Sequence, residues 1–374
     1  MLLTIVAFIL ILSVLVFVHE LGHYWTARKF GAEAEEFGFG FPPRLFGWKK
    51  VNGKRKFFWG NKKVESEDTI WSMNWIPIGG FVQIKGQDGE EENDPKSFAS
   101  KKPWQRTIIL SAGVIMNVVL TAICLMIVFM LGAPQVIDKD TTAEVSDRKI
   151  QVMTILEESP ALDVGIKVGD VIVSIDGNNF ENIEQLQAYL ASNENDEVLI
   201  NITRLDEEIE YNVTLKYLDE IGSKSIGVGL VNTGTVSYPW YKAIWLGLKG
   251  TVVMFVQIIV AFYTVIKNAI IGVETGVEIA GPVGIAVITG QMARMGVSYI
   301  LQFTALLSMN LAIINFLPFP ALDGGRVLFI IIEKLRGKPN NQKVEQVVHT
   351  IGFILLIVLI LVVTGKDIWK YAVG

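Results

Sequence analysis

Long apolar runs alternate with charged segments along this chain of 374 residues. A helix needs roughly 20 apolar residues to cross a bilayer, and the runs that approach this length are 2–23, 107–131, 300–322 and 348–364. Between the second and third runs, short strand-like alternation is typical of a soluble domain. The pattern predicts a polytopic α-helical membrane protein with four transmembrane helices and one inserted α+β domain.

The segments that join these runs differ in charge. Residues 24–106 contain 15 Lys or Arg and 11 Asp or Glu, whereas residues 133–238 contain 7 basic and 20 acidic residues. Residues 332–347 contain 4 basic and 2 acidic residues. Because basic loops stay in the cytoplasm, we expect 24–106 and 332–347 inside and 133–238 outside. Both termini are then extracytoplasmic.

A fifth apolar stretch, 243–266, contains Lys249 and Gln257. If this stretch also crossed the membrane, the basic loop 332–347 would lie outside, against its charge. We therefore expect 243–266 to lie along the outer interface or to enter the membrane without crossing it.

Composition narrows the class of protein further. The chain is 51% hydrophobic with a mean hydropathy of +0.42, and its single cysteine, Cys124, excludes a disulfide framework or a cysteine zinc site. The first apolar run lacks a preceding basic segment, so we do not expect a cleavable signal peptide. The acidic charge of segment 133–238 disfavours nucleic acid as a partner. The apolar runs indicate that the lipid bilayer is a partner.

The first apolar run ends in His19-Glu20-Leu-Gly-His23. On a helix, residues i and i+4 lie on one face, so both imidazoles can bind one metal ion, with Glu20 beside it. Such a motif also occurs by chance, but two of the three histidines of the chain lie here, and ionisable groups at membrane depth are costly. We expect the remaining histidine, His349, to be an ordinary interfacial residue.

A catalytic zinc site takes three protein ligands and leaves one position open for water. Asp323 is the best candidate for the third ligand, because Pro318 and Pro320 interrupt the third apolar run just before it. Irregular backbone at this depth must be buried in protein or line a water-filled cavity, and Gly324 and Gly325 permit close backbone approach. The alternative is a solvated Asp323 at a helix end.

The two motifs, H-E-L-G-H in the first run and N-x-x-P-x-P-x-L-D-G-G near the end of the third, resemble those of the site-2 protease family. The chain is most similar to its bacterial RseP-type members, which are intramembrane zinc metalloproteases. The resemblance implies one zinc ion on His19, His23 and Asp323, with Glu20 as the general base. It also implies substrate contacts at Asn310 and Asn315.

Membrane-spanning proteins with one helix are the substrates that this resemblance implies, such as a pre-trimmed anti-sigma factor or a signal-peptide remnant. An upstream site-1 protease would act first. The location would be the bacterial inner membrane, with the zinc site near the cytoplasmic side. Where many relatives have His after the glycine pair, this chain has Arg326.

The basic segment after the first run contains a β-like stretch from Phe81 to Lys85, preceded by Gly79 and Gly80. In the resembling family a membrane-associated β-hairpin here approaches the zinc. Its edge, at Gly79, Gly80, Phe81 and Val82, could bind an unwound substrate by strand addition. The alternative is an ordinary cytoplasmic hairpin.

Residues 136–218 have a predicted strand and turn at 171–177, predicted strands at 198–203 and 210–215, and a predicted helix at 183–190. Their glycine pattern resembles a bacterial PDZ domain, and it places a peptide-binding loop at Val164, Gly165 and Ile166. RseP-type relatives often have two such domains, whereas this chain has room for one. The domain would lie on the extracytoplasmic side, where it could bind a peptide or only restrict access.

The predicted divisions of the chain follow its order: first transmembrane helix 1–27, cytoplasmic or re-entrant β-hairpin region 28–103, second helix 104–132, PDZ domain 136–218, linker and interfacial helices 219–298, third helix 299–331, cytoplasmic loop 332–347 and fourth helix 348–366. The preferred function is an intramembrane zinc metalloprotease. The alternatives are an inert membrane-tethered PDZ adaptor with a structural metal site and a metal carrier. Neither alternative needs a base such as Glu20 beside the histidine pair.

Overall fold

The structure is a computed structural model, and it describes residues 2–51, 54–61, 68–87, 93–137, 144–156, 159–193, 195–204, 207–218, 223–272, 280–338 and 340–373. The chain forms two compact units, one of residues 1–126 and 245–374 and the other of residues 127–244. The helices are α1 (Leu2–Lys29), α2 (Pro103–Leu131), α3 (Pro160–Asp163), α4 (Ile183–Ser192), α5 (Trp240–Ile271), α6 (Pro282–Met295), α7 (Val297–Phe316), α8 (Asp323–Arg336) and α9 (Gln342–Val373).

The strands of the described residues form three sheets. The first unit contains β1 (Ala34–Val51), β2 (Lys54–Trp59) and β3 (Ile70–Ile84), and the second contains β4 (Ala133–Val136), β5 (Glu144–Ile155), β6 (Val171–Ile175), β7 (Glu197–Arg204), β8 (Glu207–Thr214), β9 (Lys216–Leu218), β10 (Ser223–Ser225) and β11 (Val228–Ser237).

Five helices in the described part of the chain are long and apolar enough to cross a membrane: α1, α2, α5, α7 and α9. Their outward faces expose many large apolar side chains, which is the surface that lipid requires. The stretch 243–266 lies inside the single continuous helix α5. The number four therefore stays a prediction, as does the interfacial position of 243–266.

The predicted third helix, 299–331, is two helices in the structure. Helix α7 ends at Phe316, and α8 begins at Asp323. Proline at 318 and 320 explains the interruption, because neither residue can donate to a helical carbonyl. The predicted loop 332–347 is also mostly helical, since α8 continues to Arg336 and α9 begins at Gln342. The apolar runs located the apolar parts of these helices and missed their polar ends.

The region after α1 forms a three-stranded sheet rather than a simple hairpin, with strand order β2-β1-β3. Strand β3 folds back on itself around the first part of β1. Phe37 of β1 pairs with Trp71 in the first half of β3 and with Val82 in its second half. Residues 80–84 consequently form one edge of the sheet, and β2 forms the other edge.

Helix α6 packs against α1, α7 and α9. The carboxylate of Asp367, on α9, accepts hydrogen bonds from the backbone N–H groups of Gly281 (3.2 Å) and Gly284 (2.7 Å) at the start of α6. A buried carboxylate at a helix N-terminus satisfies N–H groups that have no partner within the helix. A Cβ at Gly281 would lie 2.9 Å from Oδ2 of Asp367 and one at Gly284 would lie 3.3 Å from it, so the close contact also explains the glycines.

The second unit contains a six-stranded sheet of order β4-β11-β5-β6-β7-β8. Its core is apolar and includes Ile175, Leu186, Ile200 and Val213, all of which are fully buried. The strands and helix predicted between 171 and 215 are confirmed. The predicted domain end at 218 is too early, because β11 pairs along most of β5. Strand β11 is rich in Gly and Thr, so it lacked a strong apolar signal.

An ion pair inside this sheet domain makes a testable prediction. Arg204 donates to both carboxylate oxygens of Asp170 at 2.7 Å, and Asp170 is 1% exposed. Hydrogen bonding to Asp170 raises the pKa of Arg204. We expect Arg204→Ala to destabilise the domain by about 3–5 kcal/mol, because it leaves a buried carboxylate without its partner. Hydrogen exchange of β7 and β8 in the full chain in detergent measures the effect.

The matched control is the exposed ion pair between Lys224 and Asp196, whose Nζ and Oδ1 atoms are 2.8 Å apart. Lys224→Ala should change stability by less than about 1 kcal/mol, since exposed ion pairs are screened by solvent. Equal effects of the two substitutions would contradict the assignment of Arg204 and Asp170 as a structural pair.

Candidate metal centre and active site

His19 and His23 lie one turn apart near the end of α1, and each is 6% exposed. Their ring centroids are 4.8 Å apart, and their Nε2 atoms are 3.2 Å apart. This is the shared helix face that the spacing of the motif predicts. Both rings therefore direct Nε2 to one point.

Asp323 is the first residue of α8, directly after the break in the third apolar run. Its Oδ2 atom lies 3.1 Å from Nε2 of His19 and 3.3 Å from Nε2 of His23. The glycine pair is required at this turn, because a Cβ at Gly324 or Gly325 would overlap the carbonyl oxygens of Leu317 and Phe319 respectively. The N-terminal end of α8 also favours a carboxylate at this position.

His19, His23 and Asp323 are the cluster of possible metal ligands found among the described residues. Four ligands arranged tetrahedrally at about 2.0–2.1 Å from zinc lie about 3.3 Å from one another. The three ligand-atom separations of 3.1, 3.2 and 3.3 Å match this geometry closely. The residues present thus fit a zinc ion with three protein ligands and one open position.

Glu20 lies beside the cluster on α1 and is partly buried. Its Oε2 atom accepts a hydrogen bond of 3.0 Å from the backbone N–H of Val82, on the edge segment of β3. The contact connects the carboxylate of the motif to the sheet edge that was predicted to bind substrate. It also leaves the second carboxylate oxygen of Glu20 for another contact.

Helix α2 packs against the histidine pair. The Nδ1–H of His23 donates to the carbonyl oxygen of Ile109 at 2.8 Å, which leaves Nε2 unprotonated for a metal. One turn further on, a Cβ at Gly113 would lie 2.7 Å from Nε2 of His19 and would overlap His23. Another turn on, the side-chain amide of Asn117 reaches His19. The stripe 109, 113, 117 thus supports both rings.

His349 differs from the expectation of an ordinary interfacial residue. Its Nδ1 accepts a hydrogen bond of 2.9 Å from the backbone N–H of Ala321, in the turn that carries Asp323. Ala321 has a φ of 77°, which is rare for a residue with a side chain. His349 therefore helps to hold a strained turn two residues before the proposed ligand.

The sequence motifs did not reveal Gly113, Asn117 or His349. For Gly113 and Asn117, the sequence did contain a pattern that could have indicated them. A small residue and an amide four positions apart interrupt the apolar helix α2, and such residues mark close helix contacts in membranes. The signal did not say which helix they face.

Asn310 and Asn315 lie on α7, and the amide of Asn310 donates to the carbonyl of Leu306 in its own helix at 2.9 Å. Their assignment to substrate remains a prediction. Gly79, Gly80, Phe81 and Val82 all lie in β3, and Gly79 adopts a φ of +78°.

The backbone N–H groups of the predicted PDZ loop are hydrogen-bonded to the helix before the loop. The backbone N–H groups of Val164, Gly165 and Ile166 donate to the carbonyls of Pro160, Leu162 and Ala161. The carbonyl of Gly165 accepts from Arg204 at 2.9 Å. These N–H groups are thus already engaged, so they do not provide the donors that would bind the end of a peptide.

Comparison with known proteins identifies the class. A family model described as peptidase family M50 matches residues 7–359, so the chain belongs to this family of metallopeptidases. It is 32% identical over 362 residues to a zinc metalloprotease of Clostridium perfringens, covering 96% of this chain and 97% of the relative. It is 28% identical over 447 residues to the regulator of sigma-W protease RasP of Bacillus subtilis, covering 98% of each chain.

These relatives and the apolar helices show that the chain is a membrane zinc metalloprotease. Among solved structures, it is similar to the PDZ domain of an SdrC-like protein of Listeria monocytogenes. That likeness has 32% identity and a TM-score of 0.22, and it covers 23% of this chain and 92% of the other.

The position of Gly113 gives a prediction about the metal centre. We expect Gly113→Ala to weaken zinc binding at least about tenfold, because the added Cβ displaces His19 and His23 from their shared point. Competition with a chromophoric chelator measures the affinity. Gly365→Ala is the control, since a Cβ at Gly365, in α9, meets nothing within 4 Å. Unchanged zinc affinity in Gly113→Ala would exclude the close packing of α2 on the histidine pair.

Proposed function

We propose that the chain hydrolyses peptide bonds within the membrane-spanning segments of single-span proteins, using one zinc ion bound by His19, His23 and Asp323. The observation that carries this proposal is the convergence of the three ligand atoms at 3.1–3.3 Å, with Glu20 beside them, at the ends of apolar helices. Burial of these ionisable groups would be costly without a function.

In this proposal Glu20 is the general base. Bound zinc would lower the pKa of its water toward about 7 and polarise the scissile carbonyl. Glu20 would take a proton from the attacking water and would later deliver it to the leaving amine. The N–H of Val82 supports this role by fixing one carboxylate oxygen of Glu20.

Substrate binding would use the edge of β3. A peptide bond in a helix is shielded and hydrogen-bonded, so the substrate must unwind, and its freed backbone groups need partners. Strand addition at residues 79–82 would supply them next to Glu20. Asn310 and Asn315 are the proposed side-chain contacts to the substrate backbone.

The B. subtilis relative is named as a regulator of sigma-W, which connects that protein to a sigma factor. We propose a pre-trimmed anti-sigma factor as one substrate class of this chain and signal-peptide remnants as another, with an upstream site-1 protease acting first. The sheet domain is proposed to be a PDZ domain that restricts access by size. Equal cleavage of long and trimmed substrates would exclude that restriction.

The proposed arrangement has four transmembrane helices in a bacterial inner membrane. Its zinc site lies near the cytoplasmic side, and the PDZ domain and both termini are extracytoplasmic. The charge difference between residues 24–106 and 133–238 supports this orientation. A cysteine-accessibility scan that placed Lys249 and Lys267 on opposite sides of the membrane would exclude it, because α5 would then cross.

The central test is cleavage of a single-span model substrate in detergent by wild type and Glu20→Gln, each with and without a zinc chelator. We expect Glu20→Gln to retain zinc and to lose at least about a hundredfold in rate, since the amide cannot act as a base. The chelator should abolish cleavage by wild type. Activity that survives in Glu20→Gln would refute the mechanism, and zinc binding without cleavage in wild type would favour the adaptor.

The edge of β3 provides a second test. Val82→Pro removes the N–H that contacts Glu20 and disturbs the adjoining binding edge, so we expect at least about a tenfold loss of cleavage with zinc content unchanged. Lys54→Pro, at the first residue of β2 on the opposite edge, is the control, because proline is tolerated at such positions. Normal cleavage by Val82→Pro would indicate an ordinary hairpin with no part in substrate binding.

A further inference from the structure

His19 must satisfy two requirements at once if it binds zinc. An imidazole can donate only an unprotonated nitrogen to a metal, so a neutral His19 that uses Nε2 must carry its proton on Nδ1. His19 is 6% exposed, and a buried N–H group needs an acceptor. His23 meets the same requirement through the carbonyl oxygen of Ile109.

The acceptor available to His19 is the side chain of Asn117. This residue is fully buried on α2, and one end of its amide lies 3.2 Å from Nδ1 of His19. With Nδ2 at that end, the amide donates to Nδ1 and Oδ1 has no partner among the described residues. The proton of His19 would then be on Nε2, where it blocks metal binding.

A half-turn about the Cβ–Cγ bond of Asn117 exchanges the two ends of the amide without a change of shape. Oδ1 then faces Nδ1 of His19 and can accept its proton, which leaves Nε2 free. The backbone of Asn117 is held in place independently of this choice. Its carbonyl oxygen accepts from Ser308 at 2.8 Å and from Thr121 at 3.0 Å.

We propose that Asn117 is a positioning residue for the metal centre, and that its Oδ1 accepts the Nδ1–H of His19 and so presents Nε2 to zinc. The proposal rests on the proposed zinc site. Residues that orient metal-bound histidines through their second nitrogen commonly change metal affinity about 10- to 100-fold when replaced. The side-chain acceptor of His19 and the backbone acceptor of His23 both belong to α2, so one helix fixes both rings.

The experiment compares the zinc affinity of purified full-length variants by chelator competition, with cleavage measured separately. Asn117→Leu has a similar shape and no acceptor, so we expect zinc to bind about 10- to 100-fold more weakly. Asn117→Asp keeps an acceptor and should bind zinc at least as tightly as wild type. Rescue by Asp is the readout that a purely structural role of Asn117 would not produce.

Two further variants separate the possible failures. Ser308→Ala removes a buried hydrogen bond to the backbone of Asn117 without touching the His19 contact, and it should leave zinc affinity unchanged. His19→Ala should abolish stoichiometric zinc, and if it does not, the proposed zinc site itself is wrong. If His19→Ala loses zinc while Asn117→Leu keeps wild-type affinity, the role of Asn117 alone is overturned.

Equal weakening by Leu and Asp at position 117 would also overturn the role of Asn117, because the acceptor would then make no difference. If the Leu variant does not fold, Asn117→Ala takes its place in the comparison with Asp, since it adds no bulk. The expected result is then the same, with weaker zinc binding in Ala and wild-type binding in Asp.

Discussion

The burial of three candidate metal ligands among apolar helices is the constraint on which the rest of the membrane unit depends. Each nitrogen and oxygen of His19, His23 and Asp323 must have a partner, since unpaired polar groups are costly where water is scarce. The three inner atoms converge on one point, and the outer nitrogens are directed to α2. The candidate metal centre and the helix contacts around it therefore depend on each other.

The second constraint is that the helices around the site must approach one another closely. A Cβ at Gly22, on the α1 face toward α2, would lie 2.8 Å from Cγ of Met116 and would overlap the carbonyl of Ala112. Gly113 makes the same kind of room for the histidine rings. Without a hydrophobic driving force between helices in lipid, small residues allow the dense packing that holds such a bundle together.

The third constraint is the irregular backbone that the site requires. Asp323 reaches the histidines only because the chain stops being helical between α7 and α8, and that break leaves backbone groups to be satisfied. His349 accepts one of them, and the glycine pair lets α8 restart directly against the carbonyls of residues 316–319. The edge of β3 meets the same requirement on the other side, where the N–H of Val82 is bound by Glu20.

Much of this arrangement was accessible from the sequence. Apolar run length located the long helices, the spacing of His19 and His23 placed both rings on one face, and Pro318 and Pro320 predicted the helix break before Asp323. These inferences depend on local geometry, which the order of residues determines directly. The same local signals located the strands and the helix between 171 and 215.

Only the tertiary structure determined which strands pair and which distant side chains lie in contact. Composition could not show that β3 folds around β1, that β11 completes the second sheet, that Asn117 contacts His19, or that His349 contacts the turn before Asp323. Those residues are separated by 98 positions from His19 in one case and by 28 positions from Ala321 in the other. A single hydrogen bond between distant residues leaves no periodic mark in a sequence, and only the packing of whole helices brings such partners together.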